Sequence, residues 1–157
     1  MGERGSHSIF AAGRIAAGPR PGEAVGLLLL RLGPALVFLV HGYLKVVGGH
    51  YDRTVALFLT VNIPLPETAA WFVGALELAG GAALLIGLLA RPAAALLAAE
   101  MAVAIVKVRL PQGFVGATEY EMVILLACLA IILLGPGRLS LEGWRSRSVE
   151  GGRSPQR

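Results

Sequence analysis

Arg31, His41, Lys45, Glu77, Glu100, Lys107, Glu119 and Glu121 all lie inside, or at the rim of, long apolar runs. A charge at the centre of a bilayer costs at least ~2.5–3.5 kcal/mol on insertion scales, so such residues pair, face a cavity or act on a ligand. At roughly 100° per helical residue, Arg31, Phe38, Gly42 and Lys45 share one stripe, with His41 on its shoulder. Glu77 shares a face with Gly74 and Gly81, Glu100 with Lys107, and Glu121 with Cys128. Depth along the runs divides the charges into two sets. Arg31, Glu77 and Glu100 are expected as a buried polar cluster, which as a neutralised ion-pair group could do no more than fix helix register. His41, Lys45 and Glu121 are expected around an outward-opening pocket and are the ligand-binding candidates. Snorkelling accounts for Arg109, and a favourable helix dipole accounts for Glu119. Neither explains His41, Lys45 and Glu121 as well.

The elements that must position these residues are membrane helices. The chain has 157 residues, 55% of them hydrophobic and 15% charged, with a mean hydropathy of +0.70. Its runs are apolar almost all round, and a chain this short has no soluble core large enough to bury them. Four spans are expected, at about 24–47, 67–89, 92–110 and 119–134, with Pro34 a tolerated proline inside the first. Asp52 to Val61 reads as a short interfacial helix, stopped by Pro64 and Pro66. Ala90-Arg91 is the expected connector between the second and third spans, short enough to make them antiparallel neighbours. Alanines every four residues (Ala75, Ala79, Ala83; Ala94, Ala98, Ala102) favour close helix packing. Residues 1–23 read as a disordered tail, 24–137 as the membrane domain and 138–157 as a basic tail. With both termini on one side, that side collects Arg4, Arg14, Arg20, Arg91, Arg138, Arg145, Arg147, Arg153 and Arg157. The positive-inside rule then places both termini in the cytoplasm. The fold class is an all-α integral membrane protein, a four-helix transmembrane bundle with N-in/C-in topology.

Several chemistries are disfavoured. A single cysteine, Cys128, forms no internal disulfide or C-x-x-C redox pair and reads as a packing residue. Bis-histidine haem needs a second intramembrane histidine, and His7 and His50 lie outside the spans. A di-iron carboxylate site needs Glu-x-x-His pairs, which do not occur. No metal or haem is therefore expected. There is no P-loop, dinucleotide fingerprint or nucleophile elbow. The net charge of +4 comes without aromatic interleaving or a nucleic-acid motif, so it is assigned to headgroup attraction and topology.

The ordered motifs resemble one family. His41-Gly42-Tyr43-Leu44-Lys45 resembles its first-span element, and Pro64-Leu65-Pro66, Glu77-Leu78-Ala79-Gly80-Gly81 and Leu85–Pro92 resemble its second span and the turn after it. Gln112-Gly113-Phe114, Glu119-Tyr120-Glu121 and Gly135–Glu142 are similar to its fourth-span signature. Together they identify the chain as similar to DoxX-like membrane proteins over about Leu27 to Glu142. The resemblance implies a four-helix membrane protein of a bacterial or archaeal plasma membrane, with His41, Lys45, Glu77 and Glu121 as its characteristic polar residues. It implies respiratory or redox work, such as a quinone-linked oxidoreductase subunit, or a membrane partner of a superoxide dismutase or sulfurtransferase. The paired cysteines of some distant relatives are absent here.

On this reading a quinone, or a soluble redox partner, is the expected ligand. His41 and Glu121 would then serve as hydrogen-bonding or proton-transfer groups, Lys45 as a stabiliser of developing negative charge, and Glu77 and Arg31 as the pocket floor. A non-catalytic scaffold or assembly factor is the alternative. A small transporter is a third, needing a dimer because four spans are few for alternating access. The bilayer is a partner in every case, and a homo-oligomer is allowed.

Overall fold

A computed structural model describes residues 21–151, and among the described residues it is all-helical, with six α-helices and no strand. The helices are α1 (Pro21–Val46), α2 (Tyr51–Thr60), α3 (Pro66–Ile86), α4 (Ala90–Ala104), α5 (Glu119–Leu134) and α6 (Leu141–Gly151). α4 runs on through a π turn (Ile105–Arg109) into a 3-10 turn (Leu110–Gln112). Of the disordered segment expected at 1–23, residues 1–20 lie outside the described residues, and 21–23 form the first turn of α1.

α1 carries Glu23 in its first turn and Lys45 in its last, the arrangement that complements the helix dipole. Pro34 is buried and the helix passes through it unbroken. Its end is closed by the Tyr43 carbonyl, which accepts the N–H groups of both Val47 and Gly48. α2 then turns back over the end of the molecule, and the Tyr51 hydroxyl donates to the Glu67 carbonyl, tying α2 to the start of α3.

The link between α3 and α4 falls three residues earlier than expected. Gly87 adopts the left-handed conformation at φ 68° and ends α3, so Ala90 and Arg91 already belong to α4. The Ala90 N–H is met by the Glu142 carboxylate at 3.3 Å, which lets α4 begin there. Glu142 lies on α6, so the first part of the expected basic tail is a helix that caps another helix.

α1 packs on α3, α3 on α4, α4 on α5 and α5 back on α1, with α2 against α3 and α1. The core holds Phe38, Leu84, Leu97, Met101, Ile124, Cys128 and Ile131 among small alanines. Glycines set the closest helix approaches. A Cβ on Gly42 would fall well inside contact distance of the Leu78 backbone nitrogen, and one on Gly81 would lie 2.8 Å from the Leu39 nitrogen. Gly80 is similarly filled by Leu97 of α4. Of the alanine repeats expected to do this work, Ala94 and Ala98 are buried, while Ala79 and Ala102 are exposed.

Two helices, α1 over Gly22–Val46 and α3 over Pro66–Ile86, are long and apolar enough to cross a membrane. The outward faces are apolar as well. Leu36 and Val40 on α1, Trp71 on α3, Val106 in the turn after α4, and Val123, Leu126 and Leu133 on α5 are all exposed, Leu133 at 78%. Water-soluble monomers rarely show contiguous apolar surface on that scale, whereas lipid requires it.

Candidate functional site

The polar residues of the long helices gather at two places, at opposite ends of α1. At its C-terminal end, Lys45 reaches across to α3, and its ammonium sits 2.6 Å from a Glu77 carboxylate oxygen. The contact is helped by the glycine approach, because a Cβ on Gly74, one turn from Glu77, would come within 3.0 Å of the Lys45 Cβ. Glu100 of α4 stands within electrostatic reach of both Glu77 and Lys45. On the far wall, the Arg109 Nε donates to a Glu121 carboxylate oxygen at 2.5 Å. Arg109 ends the π turn, and that single widened turn aims its side chain toward α5.

These groups line one cavity of about 960 Å³. His41, Lys45, Glu77, Glu100, Lys107, Arg109, Tyr120 and Glu121 contribute its polar wall, and Phe38, Leu57, Phe58, Phe72, Leu76 and Leu96 much of its apolar one. α2 and the loop to α3 cover it with Arg53, Asn62 and Pro64. That loop contains two left-handed non-glycine residues, Asn62 at φ 54° and Leu65 at φ 50°. The His41 ring faces Tyr120, with centroids 6.5 Å apart and planes at 35°.

Three acids in this wall are incompletely satisfied. Glu77, Glu100 and Glu121 each keep one enclosed carboxylate oxygen with no hydrogen-bond partner. Glu77 and Glu121 are only 2% and 6% exposed. A buried acceptor left unpaired is costly, so these oxygens call for donors: a proton shared between Glu77 and Glu100, which lie within hydrogen-bonding reach of each other, or a group that fills the cavity. Charge balance says the same. Lys45 offsets one of the two carboxyls beside it, and the other must be balanced by a proton or by a donor on a ligand.

Arg31 is placed elsewhere. It lies fourteen residues before Lys45, roughly 21 Å along α1 at helical rise, and is 2% exposed. Its guanidinium donates to the carbonyls of Pro136 and Leu139 at 2.7 and 2.8 Å. The expected grouping of Arg31 with Glu77 and Glu100 therefore does not form: carbonyls of the segment between α5 and α6 take the arginine, and Lys45 takes Glu77. Glu119 sits at the start of α5, where its carboxylate accepts the Gly116 N–H at 2.9 Å. Among the described residues, no cluster of His, Cys, Asp or Glu has a metal-holding arrangement.

Some cavity residues were not marked by sequence reasoning. Tyr120 adjoins Glu121 in the sequence, and its aromatic type at a span end was the available signal. Arg109 reads as a snorkelling residue until the π turn is known, and a π turn has no sequence signature. Arg53 and His50 enter the wall only because α2 folds back over it.

The sequence is similar to known proteins. The DoxX family model matches residues 26–110, a stretch holding every polar wall residue named above except Tyr120 and Glu121. A Bacillus subtilis (strain 168) protein named "Putative oxidoreductase CatD" is 33% identical over 118 residues, covering 75% of this chain and 85% of its own length. No solved structure matches. With more than half of its length matched by the family model, and a relative similar over most of both chains, the chain belongs to the DoxX family of membrane proteins.

Proposed function

We propose that this chain is a four-helix transmembrane subunit of an oxidoreductase system, holding a quinone-class carrier in the cavity between α1, α3, α4 and α5. The observation that carries the reading is the trio of enclosed, unpartnered carboxylate oxygens on Glu77, Glu100 and Glu121 in a mostly apolar wall. A quinone supplies reversible two-electron, two-proton chemistry, and its oxygens only accept hydrogen bonds when oxidised but also donate them when reduced. The wall has partners for both forms. The His41 imidazole and the Lys45 ammonium are donors for a carbonyl, and the free oxygens of the three acids are acceptors for a hydroxyl. Arg109 is paired with Glu121, and the surrounding Phe and Leu side chains suit an apolar ring and tail. The name of the Bacillus subtilis relative supports the redox class. A soluble redox protein would then dock at the membrane surface, with α2 covering the cavity on one side and both termini in the cytoplasm on the other.

The test is titration of the purified protein with a short-chain benzoquinone or naphthoquinone. His41→Ala and Lys45→Ala should remain folded in detergent yet lose affinity by about tenfold or more, the loss of one charge-assisted hydrogen bond. Unchanged affinity in both would refute the reading. One observation favours a non-catalytic scaffold instead: both ion pairs join different helical segments, Lys45 to Glu77 and Arg109 to Glu121, and so hold the bundle together. On that alternative the wild-type protein binds no quinone, and the same substitutions change only its thermal stability.

A further inference from the structure

The opposite end of α1 carries a second concavity that the redox reading does not use. A groove of about 740 Å³ lies where the first turns of α1 and α4 meet the end of α5 and the start of α6. Arg91, Arg138 and Arg147 line it, together with Glu23, Glu142 and the apolar Leu27 and Leu134. The acids do not cancel the arginines. Glu142 is engaged by the Ala90 N–H and by the charge of buried Arg31, which leaves Glu23 against three guanidinium groups. Arg147 is partly occupied, donating to the carbonyls of Gly143 and Arg138. Among the described residues the Arg91 and Arg138 side chains make no hydrogen bond or ion pair, and both border the groove.

The surroundings are apolar and open sideways. Leu134 is 60% exposed and lines the groove with Leu27, while Leu133, Leu139, Leu141 and Trp144 are exposed elsewhere at the same end of the molecule. An exposed tryptophan next to arginines, at the end of membrane-crossing helices, is the composition of a headgroup-level interface. Two free guanidiniums suit the planar two-point recognition of a phosphate, and the exposed leucines suit acyl chains. We propose that this groove binds the phosphate of an anionic phospholipid, with Arg91 and Arg138 as its ligands. The lipid fastens the start of α4 to the loop that ends α5.

The experiment uses the full-length protein in nanodiscs of phosphatidylglycerol or of phosphatidylcholine, with lipid retention read by native mass spectrometry and unfolding read by tryptophan fluorescence. Wild-type protein should retain phosphatidylglycerol after transfer to detergent and unfold at a higher temperature in the anionic discs. At the strength usual for a basic residue near a lipid surface, Arg91→Gln/Arg138→Gln should weaken retention roughly 30-fold. Arg91→Lys/Arg138→Lys should restore part of it, and Arg145→Gln, outside the groove, should change nothing. Equal retention of both lipids by the wild type, or undiminished retention by the double glutamine variant, overturns the proposal. If inorganic phosphate in phosphatidylcholine discs stabilises the protein as well as phosphatidylglycerol does, the groove takes a soluble anion and the lipid assignment is wrong. Quinone titration of the same variants should be unaffected, because the cavity is at the other end of α1.

Discussion

Glu77 has one oxygen on the Lys45 ammonium and another enclosed without a partner, so its charge is held in place without being saturated. Its neighbour Glu100 sees the same ammonium. Two carboxyls around one cation make a site that answers to any added donor, and they also make the site sensitive to loss of either member. Glu77→Gln keeps the shape and removes one of the two negative charges, leaving Lys45 to Glu100, so it should destabilise the fold by no more than about 1.5 kcal/mol, the lower end for a hydrogen bond to a charged group. Lys45→Met removes the cation from both acids and should cost more, about 3 kcal/mol. Combining the two should cost less than their sum, because neither partner is then left alone. Thermal unfolding of the three variants in detergent checks this, and strict additivity would show that the pair is not coupled. The residue types were legible in the sequence; the pairings were not. The apolar limits of the spans put Lys45 and Glu77 at different depths, and only the folded helices bring them level. Arg31 went to the carbonyls of Pro136 and Leu139, a backbone partner that side-chain patterning cannot reveal.

Packing between α1 and α3 sets the distance on which the Lys45–Glu77 pair depends. Gly42 stands against the backbone of Leu78, so even a methyl group there must push the helices apart. Gly42→Ala should destabilise the protein by about 1–3 kcal/mol, the usual cost of overpacking, and weaken quinone binding in parallel. Gly26→Ala on the same helix meets nothing within 4 Å. It should be neutral or stabilising by up to about 1 kcal/mol, because alanine is the better helix former. Unfolding temperature and quinone affinity measured on both variants test the contrast, and equal behaviour would mean that the close approach is not needed. At this scale the periodicity reading was strong for the helices themselves: the stripe of Arg31, Phe38, Gly42 and Lys45 is the inward side of α1, with only Lys45 partly exposed. Two features escaped it. The π turn at Ile105–Arg109 is a change of hydrogen-bond register that leaves no compositional trace. The helix at Leu141–Gly151 has too little apolar character to stand out, and it gains its place by capping α4 through Glu142.

The two concavities lie at opposite ends of α1, and this polarity makes a prediction for the whole molecule. If the long helices span the bilayer, the loop between the 3-10 turn and α5 emerges on one side and α6 on the other. The cationic groove and α6 should face the cytoplasm, where Lys and Arg are retained, and the cavity mouth under α2 should face outward. The natural thiol makes the test clean, because Cys128 is fully buried and should not react with a membrane-impermeant maleimide. Val115, 84% exposed in the loop before α5, and Ser148, exposed on α6, are suitable sites for single cysteines. In intact spheroplasts Val115→Cys should be labelled and Ser148→Cys should not, and permeabilisation should make both react. The reverse pattern would invert the topology and put the acids of the cavity on the cytoplasmic side. Labelling of both sites without permeabilisation would remove the arrangement in which the cavity and the cationic groove face opposite sides of a membrane.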